Sequence, residues 1–320
     1  MKHQPSLVRK ESLVPPRIER PRRPLRRSLR ALWDYAVFGV DFFILRQNRP
    51  FVIGLVTNDT CNLHCAHCRV ANMRRSNMSF EDIRQHLNKH YKEGARFLYL
   101  EGGEPYLWRD GTRRLQDVID LARAIGYLRV HLYTNGTIPL TARPDFTWVS
   151  IDGLAESYER IRGISLDRVL RNLRPFKQRF AVVFVVNTVN CLEVEAFLRF
   201  VQMEFPKTGV MFFFHTPYYG FDHLFLSPDQ KRQAIQTILR CKAAGLPVLN
   251  SRAALNAILT GNYFHPTNLW RVVDETGEYQ CCRAIGQPEV CEHCGYSTCA
   301  EIVLSRSLNL DALRTMLRNV

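Results

Sequence analysis

Three closely spaced cysteines, Cys61, Cys65 and Cys68, have the spacing of a metal site. Thiolates at positions i, i+4 and i+7 of a loop can converge on one centre, and thiolates are the usual ligands of iron–sulfur clusters. A 4Fe-4S cluster with three protein thiolates keeps one iron open, as a catalytic site needs. The alternative is a structural zinc ion whose fourth ligand is His64 or His67.

Five further cysteines lie close together near the end of the printed sequence. One of the adjacent pair together with the other three would supply four ligands, which suits either a second iron–sulfur cluster or a structural zinc ion. His293 lies among them, and we expect it to be a bystander. Cys191 and Cys241 stand alone, and we expect both to be small buried hydrophobic residues in helices. The five clustered cysteines are Cys281, Cys282, Cys291, Cys294 and Cys299.

Six short apolar runs alternate with amphipathic helical segments from residue 51 onward. Such an alternation predicts an α/β fold, with a parallel sheet that helices cover. In an open sheet or a partial barrel of this kind, chemistry collects at the carboxyl ends of the strands. The predicted strands are Phe51–Val56, Phe97–Leu100, Arg129–Tyr133, Phe146–Ile151, Ala181–Asn187 and Val210–Phe214.

Polar or glycine-rich residues follow several of these predicted strands. Paired glycines let a backbone approach a ligand closely, and a carboxylate beside them can bind an ammonium group. Because carboxyl ends of parallel strands share one edge, we expect these residues to share a site with the first cysteine loop. They are Gly102, Gly103 and Glu104 after the second strand, Asn135 after the third, Ser150 and Asp152 at the fourth, and Asn187 at the fifth.

Three segments resemble motifs of the radical S-adenosylmethionine superfamily. The run CNLHCAHC (61–68) is similar to the family's CxxxCxxC signature, EGGEP (101–105) is similar to its GGE motif, and SIDGLAESYERIRG (150–163) resembles a segment of subgroups with auxiliary clusters. The resemblance covers about residues 51–215. It departs from the family at His67, where an aromatic residue is usual, and at Tyr158-Glu159, where many relatives have His-Asp.

The resemblance implies a partial (β/α)6 TIM-type barrel that binds a 4Fe-4S cluster and S-adenosylmethionine. By position, Gly102, Gly103 and Glu104 would hold the cofactor's amino group, and Arg162 would meet its carboxylate. Ser150 and Asp152 would lie near the ribose. Asn135 and Asn187 are predicted to contact the cofactor from their strand ends. A flavodoxin or ferredoxin would supply electrons, and an auxiliary iron–sulfur cluster is implied more than zinc in the second cysteine group.

The substrate stays open between two classes of radical enzyme. The overall arrangement resembles adenosyl-hopane synthase and its relatives, which implies a lipid or hydrocarbon, whereas the auxiliary cysteines equally suit a twitch- or SPASM-like enzyme that modifies peptides. A third hypothesis is a zinc-stabilised nucleic-acid-binding protein. The aromatic loop at residues 214–225 could line the substrate mouth, with His215, Tyr218 and Tyr219 as candidate contacts.

A basic arm and an apolar segment precede the first predicted strand. Residues 1–30 contain ten Lys and Arg and two acids, a net charge of +8, which leaves +6 of the total +14 for the other residues. Ala31–Leu45 is apolar apart from Asp34 and Asp41, and on a helix it leaves a wide apolar face. Residues 20–48 could therefore contact a membrane surface peripherally, or the helix could pack on the protein's own body.

These patterns together predict three regions along the chain and the protein's location in the cell. Residues 1–50 would form the basic arm and helix, 51–222 the catalytic core, and 223–320 a C-terminal extension with the auxiliary metal site. We expect a cytoplasmic protein, peripheral on the inner membrane face if the helix binds lipid. The basic arm suggests an acidic partner, either phospholipid head groups or nucleic acid, and we expect nucleic acid to be the less favoured of the two.

Overall fold

A computed structural model of the chain describes residues 25–73, 75–218 and 220–319. The strands are β1 (Val52–Val56), β2 (Phe97–Glu101), β3 (Arg109–Asp110), β4 (Arg113–Arg114), β5 (Arg129–Thr134), β6 (Phe146–Ser150), β7 (Phe180–Val186), β8 (Val210–Phe214), β9 (Trp270–Asp274) and β10 (Gly277–Gln280). The helices are α1 (Leu25–Gly39), α2 (Phe80–Glu93), α3 (Leu115–Ile125), α4 (Ala155–Arg162), α5 (Leu166–Leu173), α6 (Val194–Glu204), α7 (Pro228–Ala243), α8 (Arg252–Thr260), α9 (Pro288–Glu292), α10 (Ser297–Arg306) and α11 (Leu310–Asn319).

The main sheet has eight strands in the order β10-β9-β1-β2-β5-β6-β7-β8. All neighbours pair in parallel except β9 and β10, which form an antiparallel hairpin. The fold is thus α/β and consistent with a partial TIM-type barrel. The six predicted parallel strands are confirmed, with small shifts at their ends. The predicted strands did not include β9, which pairs with β1 and joins the C-terminal extension to the sheet.

Alternate residues of the parallel strands face two different layers. On β7, Val182, Phe184 and Val186 pack into the large core under the helices, whereas Ala181 and Val183 face the interior of the sheet's curve. The interior cluster also contains Trp148 and Phe213. Burial on both faces explains why these strands appear in the sequence as nearly continuous apolar runs.

Side-chain caps begin several of the helices. Ser79 and Ser227 both form capping boxes, and Ser251 accepts a hydrogen bond from the Ala254 amide at the start of α8. The predicted placement of Cys191 was wrong, because it lies in a turn before α6, whereas Cys241 lies in α7 as expected. Both side chains are buried.

Helix α1 packs on the body through one face. Phe38 of α1, and Phe42 just after the end of the helix, contact Phe51 at the start of the sheet, with ring centroids 4.9 and 5.5 Å away. Asp34 and Asp41, which interrupt the apolar run, form ion pairs with Arg96 and Arg49. The chain leaves α1 through a π-helical turn at Val40–Ile44. Among the described residues, no helix is long and apolar enough to cross a bilayer.

Candidate functional site

A cavity of about 580 Å³ opens at the carboxyl ends of the parallel strands. Thiols of both cysteine groups line it, although more than two hundred residues separate the groups in the sequence. The sheet produces this meeting, because β9 returns the C-terminal segment to the side of β1, directly before the second group. The lining thiols belong to Cys61, Cys65 and Cys68 of the first group and to Cys281, Cys282, Cys294 and Cys299 of the second.

The first cysteine loop follows β1 and is held by side-chain amides. The Asn72 side chain accepts a hydrogen bond from the Cys61 amide at 2.8 Å and donates to the Leu63 carbonyl at 3.0 Å. Burial raises the pKa of the Cys61 thiol to about 11, and it raises the pKa of Cys65 as well. Bare thiolates are therefore costly here, so a positively charged centre bound by three thiolates fits this donor set.

Gly103 docks this loop against the end of β2. Its amide donates to the Asn58 carbonyl at 2.7 Å, and the next amide, of Glu104, donates to the Thr60 carbonyl at 2.9 Å. A Cβ atom added at Gly103 would lie 2.2 Å from the Thr60 carbonyl oxygen. The glycine pair thus approaches the backbone that leads into Cys61, and both glycines also line the cavity.

Glu104 is fully buried and turned away from the cavity lining. Its carboxylate accepts hydrogen bonds from the Thr134 hydroxyl at 2.8 Å and the Asn135 amide at 2.8 Å. Burial raises the pKa of Glu104 to about 7, although these hydrogen bonds lower it. The carboxylate therefore ties the end of β2 to the end of β5.

Asp152 and Arg162 form a buried ion pair beneath the first cysteine loop. Nε of Arg162 donates to Oδ2 of Asp152 at 2.6 Å, and the Val185 amide donates to Oδ1 at 2.7 Å. Nη1 of Arg162 lies 3.8 Å from the Cys65 sulfur. The Nε2 atom of His67 lies 3.7 Å from Asp152, and burial lowers the pKa of His67 to about 4. Arg162 lines the cavity, and Asp152 does not.

Of the other predicted cofactor contacts, two line the cavity and one lies behind its wall. Asn135 lines the cavity and donates through Nδ2 to Oδ1 of Asn62 at 3.0 Å. Ser150 also lines the cavity. Asn187 is fully buried outside the lining, where it accepts from the Val189 amide at 2.9 Å and stabilises the turn before α6.

Four thiols of the second cysteine group line the same cavity. The sulfur atoms of Cys281 and Cys299 lie 4.0 Å apart, and Cys294 hydrogen-bonds with Cys299. Both members of the adjacent pair line the cavity, whereas Cys291 does not. Cys281 has φ +70, a left-handed conformation that is unusual for a non-glycine residue.

Gly295 fastens this cysteine segment to the end of β8. The Phe214 amide donates to the Gly295 carbonyl at 2.9 Å, and the Gly295 amide donates to the Thr216 hydroxyl at 3.0 Å. An added Cβ at Gly295 would lie 1.8 Å from the Phe214 carbonyl oxygen. Only glycine permits this approach, so the segment's position depends on one residue that the sequence analysis did not select.

His265 is the histidine near the second group. A hydrogen bond with the Cys294 thiol raises the pKa of His265, whereas burial lowers it. His293, in contrast, is partly buried, and its Nδ1 lies 2.9 Å from the Glu289 carbonyl. No spacing rule links His265 to cysteines about thirty residues away, so the sequence carried no signal for this contact.

Several cavity residues were absent from the sequence-based predictions. Tyr99 and Glu101 lie on β2 two positions apart and therefore on one face, and this face lines the cavity. Trp270 of β9 donates from Nε1 to the Tyr99 hydroxyl at 2.7 Å. Burial raises the pKa of Glu101, and nearby Arg283 opposes this effect. The alternation of β2 could have indicated Tyr99 and Glu101, whereas Trp270 required recognition of β9.

The aromatic segment after β8 reaches the mouth of the cavity. His215 and Tyr218 both line it, and the Nε2 atom of His215 lies 3.0 Å from a carboxylate oxygen of Asp222. Tyr218 hydrogen-bonds with the Cys282 thiol and so contacts the second cysteine group. Tyr219, the third predicted contact, lies outside the described residues.

Comparison with known proteins identifies the sequence relatives of the core. Residues 55–201 match the family model of the radical SAM superfamily. The chain is also 37% identical over 134 residues to the 7,8-dihydro-6-hydroxymethylpterin dimethyltransferase of Methanocaldococcus jannaschii. That match covers 39% of this chain and 25% of the relative, so the chain spans about a quarter of that protein.

Solved structures resemble the fold over a longer stretch. The structure of Streptococcus suis SuiB bound to S-adenosylmethionine aligns with a TM-score of 0.60 at 13% identity, covering 81% of this chain and 66% of SuiB. Native anSMEcpe with bound AdoMet and the Kp18Cys peptide aligns with a TM-score of 0.58 at 17% identity, covering 83% and 84%. At these identities the likeness shows the fold alone. Residues 55–201 are thus a radical SAM domain within this chain.

Proposed function

We propose that this chain is a radical SAM enzyme whose catalytic cluster is bound by Cys61, Cys65 and Cys68. The observation that carries the proposal is that these three thiols line a deep cavity at the carboxyl ends of the strands. When bound, a 4Fe-4S cluster supplies the electron that cleaves S-adenosylmethionine to methionine and a 5′-deoxyadenosyl radical, which acts on an unactivated carbon or double bond. A flavodoxin or ferredoxin is the proposed electron donor.

The protein's own residues would orient the cofactor and exclude water. Arg162 is the cationic side chain nearest Cys65, so it suits a carboxylate or a cluster-bound thiolate. Ser150, Asn135 and the Gly102-Gly103 backbone line the same wall and offer polar groups. Glu104, Asp152 and Asn187 would act from behind this layer, because their hydrogen bonds to protein groups fix the strand ends.

We assign the auxiliary metal site to Cys281, Cys282, Cys294 and Cys299, in place of the set that includes Cys291. All four thiols face the cavity, and Cys291 does not. Four thiolates complete an iron–sulfur cluster or a zinc site without an open position. An iron–sulfur cluster fits the proposal better than zinc, because these thiols line the same cavity as the catalytic loop and a cluster held by them would supply redox chemistry beside a bound substrate.

We propose that the substrate is a molecule with a large apolar part. Aromatic side chains form much of the cavity wall, among them Tyr99, Tyr133 and Trp270, while Glu101 and Arg283 supply charge at one side. A lipid or hydrocarbon suits this wall, and so does a peptide with an apolar side chain. The solved relatives SuiB, bound to precursor peptide SuiA, and anSMEcpe, bound to a peptide, support the second class. Substrate-dependent 5′-deoxyadenosine formation from lipid or peptide fractions would separate the two.

We also propose that α1 lies on an anionic membrane surface. The outward face exposes Leu32 and Trp33 of α1 and Ile44 of the π-helical turn after it, with 65%, 70% and 73% of their surfaces accessible. Asp34 and Asp41 form ion pairs with the body of the protein, so their negative charges do not lie on the outward face. The strongly basic arm in the sequence immediately before α1 complements anionic head groups.

A metal analysis tests the enzyme against the zinc-stabilised nucleic-acid-binding alternative. After anaerobic reconstitution with iron and sulfide, we expect absorbance near 400 nm and about eight irons per chain if both sites hold 4Fe-4S clusters. Cys65→Ser should lose the catalytic share of the iron, while the buried control Cys241→Ser should retain it. A colourless protein that binds zinc and RNA under the same conditions would support the alternative.

A further inference from the structure

A second group of potential metal ligands lies outside the cavity, between α2 and β10. His86 and His90 are one turn apart on α2, and Glu278 projects from the edge strand β10. One ligand atom from each residue lies within 4.8 Å of the other two. Two histidines at i and i+4 on one helix face, joined by a carboxylate, are a recurrent ligand arrangement for zinc. None of the three residues lines the cavity.

His90 has the orientation of a metal ligand. Its side chain is fully buried, and its Nδ1 lies 2.9 Å from a carboxylate oxygen of Glu93. Because an ionised carboxylate only accepts, Nδ1 carries the proton and Nε2 keeps its lone pair. That Nε2 has no hydrogen-bond partner and lies 3.4 Å from Oε1 of Glu278. A carboxylate behind a histidine in this way orients metal-binding imidazoles.

His86 and Glu278 face the same point from the solvent side. Nδ1 of His86 lies 3.5 Å from Oε1 of Glu278, and the two imidazole rings are nearly parallel, at 12°. The Lys89 ammonium now contacts that carboxylate oxygen at 2.5 Å. Lys89 is half exposed on a flexible side chain, so it can leave the carboxylate when a cation arrives.

We propose that His86, His90 and Glu278 bind a divalent zinc-type ion with water as fourth ligand. Two imidazoles and one carboxylate suit zinc better than magnesium or calcium, which prefer oxygen ligands. The ion would join α2 to β10, and β10 ends at Gln280, directly before Cys281. It would therefore restrain the hairpin from which the second cysteine group begins.

Zinc binding to the full-length chain tests this site. The protein is first reconstituted with iron and sulfide, so that the cysteines are already bound to iron. Zn²⁺ is then added, and the excess is removed by gel filtration. We expect one zinc per chain in the wild type and none in His86→Ala or Glu278→Gln. His223→Ala, an exposed histidine elsewhere, is the matched control and should bind like the wild type. Circular dichroism should show that all variants fold.

Two further results distinguish this site from zinc held by cysteines. X-ray absorption of the bound zinc should show nitrogen and oxygen neighbours without sulfur. Lys89→Ala should bind Zn²⁺ more tightly, since the competing ammonium is gone, whereas Glu93→Ala should bind ~10- to 100-fold more weakly. Equal zinc content in wild type, His86→Ala and Glu278→Gln, or sulfur neighbours around all of the zinc, would overturn the proposal. Neither result depends on whether the chain cleaves S-adenosylmethionine.

Discussion

Arg162 donates to a single carboxylate oxygen of Asp152 from both Nε and Nη2, at 2.6 and 2.5 Å. Asp152 is fully buried, and only 9% of the Arg162 side chain is exposed. The pair connects the end of β6 to the end of α4, and Arg162 continues to the Cys65 sulfur. The ion pair is therefore one of the contacts that join the sheet to the first cysteine loop.

Removal of the Asp152 charge should destabilise the protein strongly. Asp152→Asn keeps an oxygen for the Val185 amide but leaves Arg162 as a buried unpaired cation, which typically costs about 3–5 kcal/mol. Urea unfolding measures the change. The matched control is Asp229→Asn, which breaks an exposed pair with Arg232 and should change stability by less than about 1 kcal/mol. Equal effects of the two substitutions would contradict this role of Asp152.

A methyl group at Gly103 should disturb the cysteine loop specifically. Gly103→Ala places a Cβ against the Thr60 backbone, so the segment before Cys61 must move. We expect reconstituted Gly103→Ala to lose iron from the catalytic site while keeping its overall secondary structure. Gly39→Ala, whose added Cβ meets nothing within 4 Å, is the control and should keep the wild-type iron content. Unchanged iron in Gly103→Ala would show that the loop tolerates the shift.

Glu301 should make the fold less stable as the pH rises. Burial raises its pKa from 4.5 to about 7, despite the hydrogen bond that it accepts from the Ser251 amide at 2.6 Å. The folded state holds the Glu301 proton more tightly than the unfolded state does. The stability that this protonated carboxyl contributes is therefore fully present below pH 4.5 and is lost as the pH rises through about 7. Glu301→Gln should therefore stabilise the protein at pH 8, by up to about 3 kcal/mol, and change little at pH 4. Thermal unfolding at both pH values is the measurement, and a stabilisation that is equal at both would contradict it.

The exposed face of α1 predicts binding to anionic vesicles. Wild-type protein should co-sediment with vesicles that contain phosphatidylserine and should release from them at high salt. Trp33→Glu should abolish sedimentation, because a carboxylate then faces the head groups. Leu192→Glu changes a side chain that is 90% exposed elsewhere and should bind like the wild type. Equal loss in both variants, or no binding by the wild type, would argue that α1 serves only to pack on the body.

The parts of the site that the sequence could predict depend on local spacing. The Cys61–Cys68 loop and the strand ends at Gly102, Asn135 and Ser150 follow from short motifs and apolar runs. Prediction failed where distant segments meet. The meeting of Trp270 with Tyr99 requires β9 to pair with β1.

The choice among neighbouring polar residues also needed the structure. Asp152 and Glu104 occupy strand ends, as predicted, yet they point into hydrogen bonds behind the cavity wall. A strand-end position does not specify on which side of the backbone a side chain lies. Among the cysteines of the second group, Cys291 lies in the short helix α9 and does not line the cavity, whereas Cys282 does, and the spacing of the cysteines did not reveal this difference.

Formation of 5′-deoxyadenosine tests the central claim most directly. The reconstituted protein is reduced with dithionite and supplied with S-adenosylmethionine, and the products are separated by chromatography. We expect wild type and the control Cys191→Ser to form 5′-deoxyadenosine and methionine, and Cys65→Ser to form neither. If a fully iron-loaded wild type produced no 5′-deoxyadenosine, or if Cys65→Ser produced as much as the wild type, the assignment of the first cysteine loop would be wrong.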